Sequence, residues 1–410
     1  MNRERLQRRT VRVLMVTNSL GYAGFVAVLA IIGLLASEML GSDTLAGLPS
    51  AAATIGTAAA ATPLALRSRR RGRRSGIRLG YLIGVVGAGL VFTAGQAGLF
   101  WMLILAMVVF GVANASNLQN RFTAADLATE EGRASAIAMV VWVGTIGAVV
   151  GSPASAWVNR LGTRVGLGDW VAPALLGLLG FATAAAVVHL SLRPDPLGAA
   201  RGIDANAKVG NPLLEARRSW KAIWPNPRAR LAIGAMALSQ MAMVAVMTMT
   251  PLHMRDHGQA ELSTLVISVH VLGMFGLSPL IGRWADRIGR VNTLMIGAAI
   301  LGAGTFASVV AGYVPGLIFV GLFFLGLGWS FALIAGSALL TESLPIHERV
   351  GAQGFSDVMI SLFGAVAAFS SGLVKESAGY HWLANFGTIT AVMILFAAVR
   401  LARARYEPAT

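Results

Sequence analysis

The 410-residue chain is 56% hydrophobic and only 12% charged, where a soluble globular protein carries roughly 25% charged residues, and its mean hydropathy of +0.69 predicts an integral membrane protein. The formal net charge of +15 does not point to nucleic acid, because the arginines cluster between apolar runs and no soluble basic domain is left to present such a surface. The absence of cysteine excludes disulfides, thiolate metal sites and thiol chemistry.

Apolar runs long enough to span a bilayer, at about 20 residues each, fall near 11–37, 44–66, 77–98, 99–120, 134–158 and 169–192. A second set follows near 230–252, 262–282, 291–312, 315–340, 352–374 and 382–402. The basic start Arg3–Arg12 precedes an apolar run too long for a secretory signal, and many spans come after it. The expected fold is therefore an all-α membrane protein of about twelve transmembrane helices in two pseudo-symmetric six-helix bundles, residues 1–192 and 230–410, the second with a short tail. Between them, residues 193–229 form a linker rich in charge and proline (Pro194, Pro196, Pro212, Pro225, Pro227), with one short surface helix around Leu213–Ile223.

Charge placement orients the chain. The N-terminus, the run Arg67–Arg78, the linker, the 283–290 loop and the tail Arg400–Arg405 carry the basic residues, whereas Glu38–Asp43 is acidic and Gly312–Gly316 is uncharged. Both termini and the linker should face the cytoplasm, in an inner or plasma membrane. Arg160 and Arg164 dissent, falling on the predicted outer side. The halves echo one another: Gly111-Val112-Ala113-Asn114 and Gly326-Leu327-Gly328-Trp329 occupy matching places in the fourth helix of each set. Internal repetition of this kind characterises secondary transporters, whose sites lie near the midplane between the repeats.

Gly282-Arg283-Trp284-Ala285-Asp286-Arg287-Ile288-Gly289-Arg290 joins the second and third helices of the C-terminal set. Its glycines allow helix ends to approach, and Asp286 can accept hydrogen bonds at a neighbouring helix N-terminus, where the dipole favours a carboxylate. The segment resembles the loop signature of the major facilitator superfamily, and the resemblance implies a gating role for Gly282, Asp286, Arg287, Gly289 and Arg290. The equivalent N-terminal loop, Leu64-Ala65-Leu66-Arg67 through Arg74, has arginines but no acidic residue, so that role does not carry over to it. In the fifth span Gly144, Gly147, Gly151 and Pro153 loosely resemble the antiporter signature of the superfamily, although small residues at this spacing serve close helix packing whatever is transported.

Polar groups inside the spans are the candidate machinery. Asn114 and Asn117 are three apart and share a helix face, and Asn18 lies in the first span; each suits either a cavity lining or an interhelical hydrogen bond. Arg121, Asp126, Glu342, Glu348, Arg349 and Asp357 sit at or near predicted cytoplasmic ends, where gate and loop ion pairs are expected, with Asp357 deep enough to be a proton-coupling candidate. On the seventh span Met236, Met243, Met247 and Met254 form one stripe with Gln240 beside them, and His253 and His257 follow at the outer end. On the eighth, His270 and Met274 share a face one turn apart. Methionine is an ordinary filler of apolar gaps, but thioether and imidazole together suit a soft ion such as Cu(I); a lone intramembrane histidine suits equally a proton or a polar organic substrate.

Met243-x-x-x-Met247 and His270-x-x-x-Met274, with Met249-Thr250-Pro251-Leu252-His253-Met254, Ser278-Pro279-Leu280 and Gly326-Leu327-Gly328-Trp329, resemble the CcoA-like copper importers, a branch of the same superfamily. Related proteins are similar to riboflavin carriers. The resemblance implies a secondary transporter working by alternating access, with Met243, Met247, His270 and Met274 as transient ligands of transported Cu(I). The alternative is a proton-coupled carrier of a small organic solute, drug or riboflavin-like compound, through a cavity lined by Asn114, Asn117, Met236, Gln240, Trp142 and Trp329. No nucleophile, carboxylate pair or metal triad for a membrane-embedded enzyme is found in the spans, no resident cofactor is expected, and a monomer among membrane lipids is.

Overall fold

Apolar runs set off by glycine, proline and arginine leave the backbone one way to satisfy its hydrogen bonds in lipid, which is to form helices. The computed structural model describes residues 3–41, 45, 47–200, 212–259, 262–312 and 314–403. Residues 201–211 of the linker, the end of the basic tail and residues 42–44 of the acidic loop lie outside the described residues. Every regular element described is a helix: α1 (Arg3–Leu29), α2 (Ile32–Leu40), α3 (Leu48–Arg71), α4 (Arg73–Ala97), α5 (Phe100–Ala125), α6 (Arg133–Arg164), α7 (Pro173–Ser191), α8 (Pro196–Ala199), α9 (Pro212–Ile223), α10 (Pro227–Asp256), α11 (Ser263–Phe275), α12 (Ser278–Ile288), α13 (Arg290–Val310), α14 (Pro315–Ser343), α15 (Ile346–Ala378) and α16 (Tyr380–Arg403).

Among the described residues, eleven helical stretches are long and apolar enough to cross a membrane, with α1–α2, α7–α8 and α11–α12 each counting as one. The 24-residue α3 is long enough but alanine- and threonine-rich and ends in Arg69, Arg70 and Arg71, which lowers its hydropathy rather than its reach. Several helices run past the apolar stretches that announce them. The fourth apolar run near 99–120 becomes a helix ending at Ala125, which places Asn120 and Arg121 within helix instead of at its end.

Two compact units share the chain. Unit 1 holds Met1–Ala128, Val143–Ser219 and Ile346–Val358; unit 2 holds Thr129–Trp142, Trp220–Pro345 and Met359–Thr410. Helices α6, α9 and α15 are therefore each divided, one part in either unit. Within unit 1, α4 packs on α5 and α7, α3 on α5, and α1 on α7. Unit 2 repeats that scheme in order: α13 packs on α14 and α16, α11 on α14, and α10 on α16.

The repeat extends to individual glycines. In unit 1, side chains added at Gly56 of α3 and Gly111 of α5 would strike the carbonyls of Val108 and Ala53. In unit 2, Gly273 of α11 and Gly326 of α14 stand in the same relation to the carbonyls of Phe323 and His270. Small residues at a crossing let backbones approach closely, which is how helices associate when lipid removes most of the hydrophobic drive. The stripe Gly144, Gly147 and Gly151 of α6 meets Tyr22, Ser19 and Ala23 of α1 in the same manner, so these glycines serve packing.

Candidate functional site

Unit 1 carries a buried polar network. Tyr81 of α4 donates from its hydroxyl to Asn117 Oδ1 at 2.7 Å. Asn120 Nδ2 donates both to Tyr81 Oη at 2.9 Å and to Asn18 Oδ1 of α1 at 3.1 Å. Gly21 allows this meeting, since a side chain there would collide with Asn117 Oδ1 and the Tyr81 ring. One turn beyond Asn117, Arg121 pairs with Asp357 of α15 at 2.5 Å, both side chains almost wholly buried. The network retains unmet capacity: the buried atoms Asn114 Oδ1, Asn117 Nδ2, Asn120 Oδ1, Thr145 Oγ1 and Asp357 Oδ2 have no hydrogen-bond partner. Buried polar atoms without partners are rare and costly, so a group of them requires an explanation.

Unit 2 is built differently. Trp329 Nε1 donates to Gln240 Oε1 at 2.7 Å and the indole takes the Phe275 ring edge-on, centroids 5.7 Å apart. Met236 packs at Gly336, its sulfur 3.5 Å from Ser337 Oγ. Met243, His270 and Met274 are buried and Met247 is half-buried. His270 Nδ1 donates to the Leu322 carbonyl at 2.8 Å, and its Nε2 is buried without a partner. That pattern leaves the lone pair on Nε2, the tautomer a metal-ligating imidazole adopts when a carbonyl holds its other nitrogen. The His270–Met274 turn rests on α14 at Gly326. Helix α11 packs chiefly on α14, α10 packs on α14 and α16 alike, and α10 and α11 meet each other only briefly. Among the described residues no three His, Cys, Asp or Glu side chains are grouped to hold a metal, so any ion here would depend on thioethers.

The six side chains expected to share a cavity divide between the units. Asn114 and Asn117 lie in unit 1, Asn117 within the network, while Met236, Gln240, Trp142 and Trp329 lie in unit 2. There, Trp142 is half-buried near the point where α6 changes unit.

The loop signature forms an ion-pair cluster in unit 2. Gly289, at φ 89° and ψ 154°, turns the chain from α12 into α13 in a conformation that favours glycine. Asp286 accepts from the backbone N–H groups of Ala134 and Ser135 at 3.1 and 2.9 Å, capping the start of α6. Arg290 pairs with Asp286 at 3.0 Å and Glu342 at 2.8 Å, and donates to the carbonyls of Ala285 and Glu130. Gly282 packs against Ala134, Ser135 and Ala138, and Arg283 and Arg287 are exposed. A cleft of about 450 Å³ opens beside Glu130, Asp286, Arg290 and Glu342.

The corresponding turn of unit 1 keeps the geometry and replaces the acid. Gly72 has φ 86° and ψ 160°, and Arg73 follows it as Arg290 follows Gly289. Arg69 stands three residues before Gly72, where Asp286 stands three before Gly289. Arg73 finds its carboxylate elsewhere, holding Asp126 with two bonds at 2.8 and 3.1 Å and Gln353 at 2.6 Å. Asp195 accepts from the N–H of Arg74 at 2.8 Å and caps α8.

At the other end of unit 2, a second cleft of about 450 Å³ is lined by His253, Asp256, His257, Lys375, Tyr380 and His381. His253 stacks on Tyr380 with centroids 4.3 Å apart, and Lys375 pairs with Asp256 at 2.5 Å. Partial burial, opposed by the hydrogen bond to the Gly312 carbonyl, holds the His253 pKa below the usual imidazole value.

The model of the Major Facilitator Superfamily matches residues 14–266 and 233–410, which together take in nearly all of the chain. The chain belongs to the Major Facilitator Superfamily. It is a multi-pass membrane protein with the fold of that family, and like its relatives a transporter in class. Two Bacillus subtilis proteins described as uncharacterized MFS-type transporters are similar to it: YddS is 34% identical over 95% of this chain and 90% of its own length, and YdeG is 35% identical over 95% and 91%. RfnT of Brucella anthropi, named a riboflavin transporter, is 30% identical over 92% of each chain. None of these three is named for copper. Among solved structures, the human organic anion transporter MFSD10 superposes with a TM-score of 0.80 at 15% identity, covering 96% of this chain and 99% of that one. A bacterial homologue of ferroportin in an outward-facing state gives 0.74 at 11% identity, covering 96% and 99%. At such identities these two speak for the fold alone.

Proposed function

We propose that the chain carries a small polar organic solute of the riboflavin kind by alternating access, in an inner or plasma membrane with both termini cytoplasmic. The observation that carries the reading is the unit 1 network and its unpartnered atoms. Asn117 Nδ2 is a donor in waiting, and Asn114 Oδ1 and Asn120 Oδ1 are acceptors in waiting. A heteroaromatic ring with alternating carbonyl and N–H groups, bearing a hydroxylated chain, offers the complementary set. The likeness to RfnT over nearly the full length supports the same class. The orientation rests on the basic loops.

The test is uptake of radiolabelled riboflavin by a bacterial host that neither makes nor imports it. Wild-type protein should support growth at low external riboflavin. Asn117→Ala, which removes one or two hydrogen bonds, should weaken apparent affinity roughly tenfold. Correctly inserted wild-type protein that moves no riboflavin overturns this substrate.

One observation favours a second reading, Cu(I) uptake through Met243, Met247, His270 and Met274. The unengaged Nε2 of His270, with Met274 one turn away, has the donor chemistry for a soft monovalent ion. The resemblance of these two pairs to the CcoA-like importers supports it. Cellular copper measured by mass spectrometry should then fall in His270→Ala and Met247→Ala variants that reach the membrane, and copper unchanged in both ends that reading.

A further inference from the structure

Five arginines gather at one end of unit 1. Arg67 and Arg71 lie in the last turns of α3, Arg74 and Arg78 in the first turns of α4, and Arg193 just beyond α7. Arg67 is within electrostatic reach of Arg71 and Arg78, and Arg74 within reach of Arg193, Arg78 and Asp195. Asp195 spends its two oxygens on the backbone N–H groups of Arg74, Leu197 and Gly198, so it acts on the cluster only at a distance.

A neutral ring holds two of these arginines together. Arg74 Nη2 and Arg78 Nη1 lie 3.0 and 2.8 Å from His189 Nδ1 of α7, and Arg74 Nε donates to the His189 carbonyl at 3.1 Å. Guanidinium groups can only donate, so Nδ1 is the acceptor and the imidazole is neutral with its proton on Nε2. One lone pair thus faces two half-buried guanidinium groups. Like charges this close repel, and an anion that accepts from both, as a phosphate does, would offset the repulsion with charge-assisted hydrogen bonds. The fold does not require the arrangement. Unit 2 repeats the glycine turn with Arg290 in the place of Arg73, but Val291 and Met295 stand where Arg74 and Arg78 stand.

Along the same two helices the surface turns apolar. Leu82 and Val86 follow Arg78 at steps of four residues, which is one face of α4, and both are exposed. On α7, Leu190 beside His189 and Leu179 further along are exposed as well, and α4 and α7 pack against each other. A cationic end continuous with an apolar strip on two packed membrane helices fits a molecule of the same design, an anionic group carried on hydrocarbon chains.

We propose that Arg74, Arg78 and Arg193, organised by His189, bind the phosphate of an anionic phospholipid of the phosphatidylglycerol kind, whose acyl chains lie along Leu82, Val86 and Leu190. Free phosphate shares the headgroup chemistry but lacks the chains. On the orientation proposed above, the lipid comes from the cytoplasmic leaflet; binding depends neither on that orientation nor on the solute carried.

The test is native mass spectrometry of the purified full-length protein in detergent. It is titrated with phosphatidylglycerol, with phosphatidylcholine of the same acyl chains, and with inorganic phosphate. Phosphatidylglycerol should bind roughly tenfold or more tightly than phosphatidylcholine, and inorganic phosphate should not displace it. The double variant Arg74→Gln/Arg78→Gln should lose the preference. Arg5→Gln/Arg9→Gln, which removes two charges from exposed positions of α1, should keep it. Arg193→Gln alters one exposed side chain and should weaken phosphatidylglycerol binding about fivefold; if the double variant does not fold, this single variant decides, and unchanged binding in it overturns the site. Equal affinity for the two lipids, an equal loss in the Arg5/Arg9 variant, or displacement by inorganic phosphate would each overturn the proposal. Because no solute is present, failure here is distinct from failure to carry riboflavin.

Discussion

The α3–α5 crossing of unit 1 and the α11–α14 crossing of unit 2 are the same joint with different side-chain chemistry. Gly56, Ala53 and Thr57 precede Gly273, His270 and Met274 by one constant interval, and each pair of crossing glycines touches the same carbonyl position of its neighbour. At the α3 joint, Thr57 spends its hydroxyl on the backbone of Ala53 and Gly111. At the α11 joint, His270 keeps an unengaged nitrogen. On the facing helices the roles reverse: α5 presents Asn114, Asn117 and Asn120, whereas α14 has Trp329, Ala332 and Ala335 in the matching places. The backbone contacts explain why the two units share a shape. They say nothing about substrate, which is why the shape alone does not identify one.

The comparison breaks most visibly at Arg121. Arg121→Ala leaves Asp357 buried without its cation and should cost about 3–5 kcal/mol, read as a large fall in thermal unfolding temperature in detergent. Met243→Ala removes no charge and leaves a cavity alone, so its loss should be the smaller of the two. An Arg121→Ala protein as stable as Met243→Ala would erase the contrast between a charged and a neutral interior.

A smaller effect sharpens the likeness. Gly111→Ala and Gly326→Ala each drive a methyl group into a backbone carbonyl, and each should cost about 1–3 kcal/mol. The two losses should agree if the joints are equivalent. Only Gly326→Ala should also disturb copper accumulation, if His270 serves there, since it displaces the turn that carries the imidazole.

The smallest effect belongs to His253. Its folded pKa lies below the unfolded value, so its contribution to stability is present at neutral pH and is lost as pH falls through the imidazole range, where the unfolded chain binds the proton more readily. His253→Gln should therefore reduce slightly the acid sensitivity of thermal stability while leaving neutral-pH stability nearly unchanged. A Gln variant with the wild-type acid profile would assign that sensitivity to other groups.

The architecture was legible because the bilayer imposes a length and a polarity on each run, and arginine marks the turns between them. Asp286 was legible too, since a carboxylate just before a glycine turn can cap a neighbouring helix N-terminus. The unit 1 network was legible only in part. Asn114 and Asn117 announced a polar face by their spacing, but Asn120 and Arg121 fell at the edge of an apolar run and read as a helix end. In the structure α5 continues to Ala125, which turns that edge into the interior. Tyr81 carried no signal, being one aromatic in an apolar helix whose hydroxyl matters only once Asn117 and Asn120 stand opposite. Asp126, Asp357 and their arginines were recognisable as partners in kind. Which arginine meets which acid depends on contacts between segments as much as 236 residues apart in the chain, and local sequence does not encode that.

Helices α6 and α15 each pass from one unit to the other, at Trp142–Val143 and at Val358–Met359. If a transport cycle moves the units, the strain falls on those two short stretches, and their amides should be the first in either helix to exchange with deuterated solvent. Two protection minima in the middle of otherwise long, well-bonded helices would then serve as a fingerprint of turnover, one that fades when the cycle is stalled.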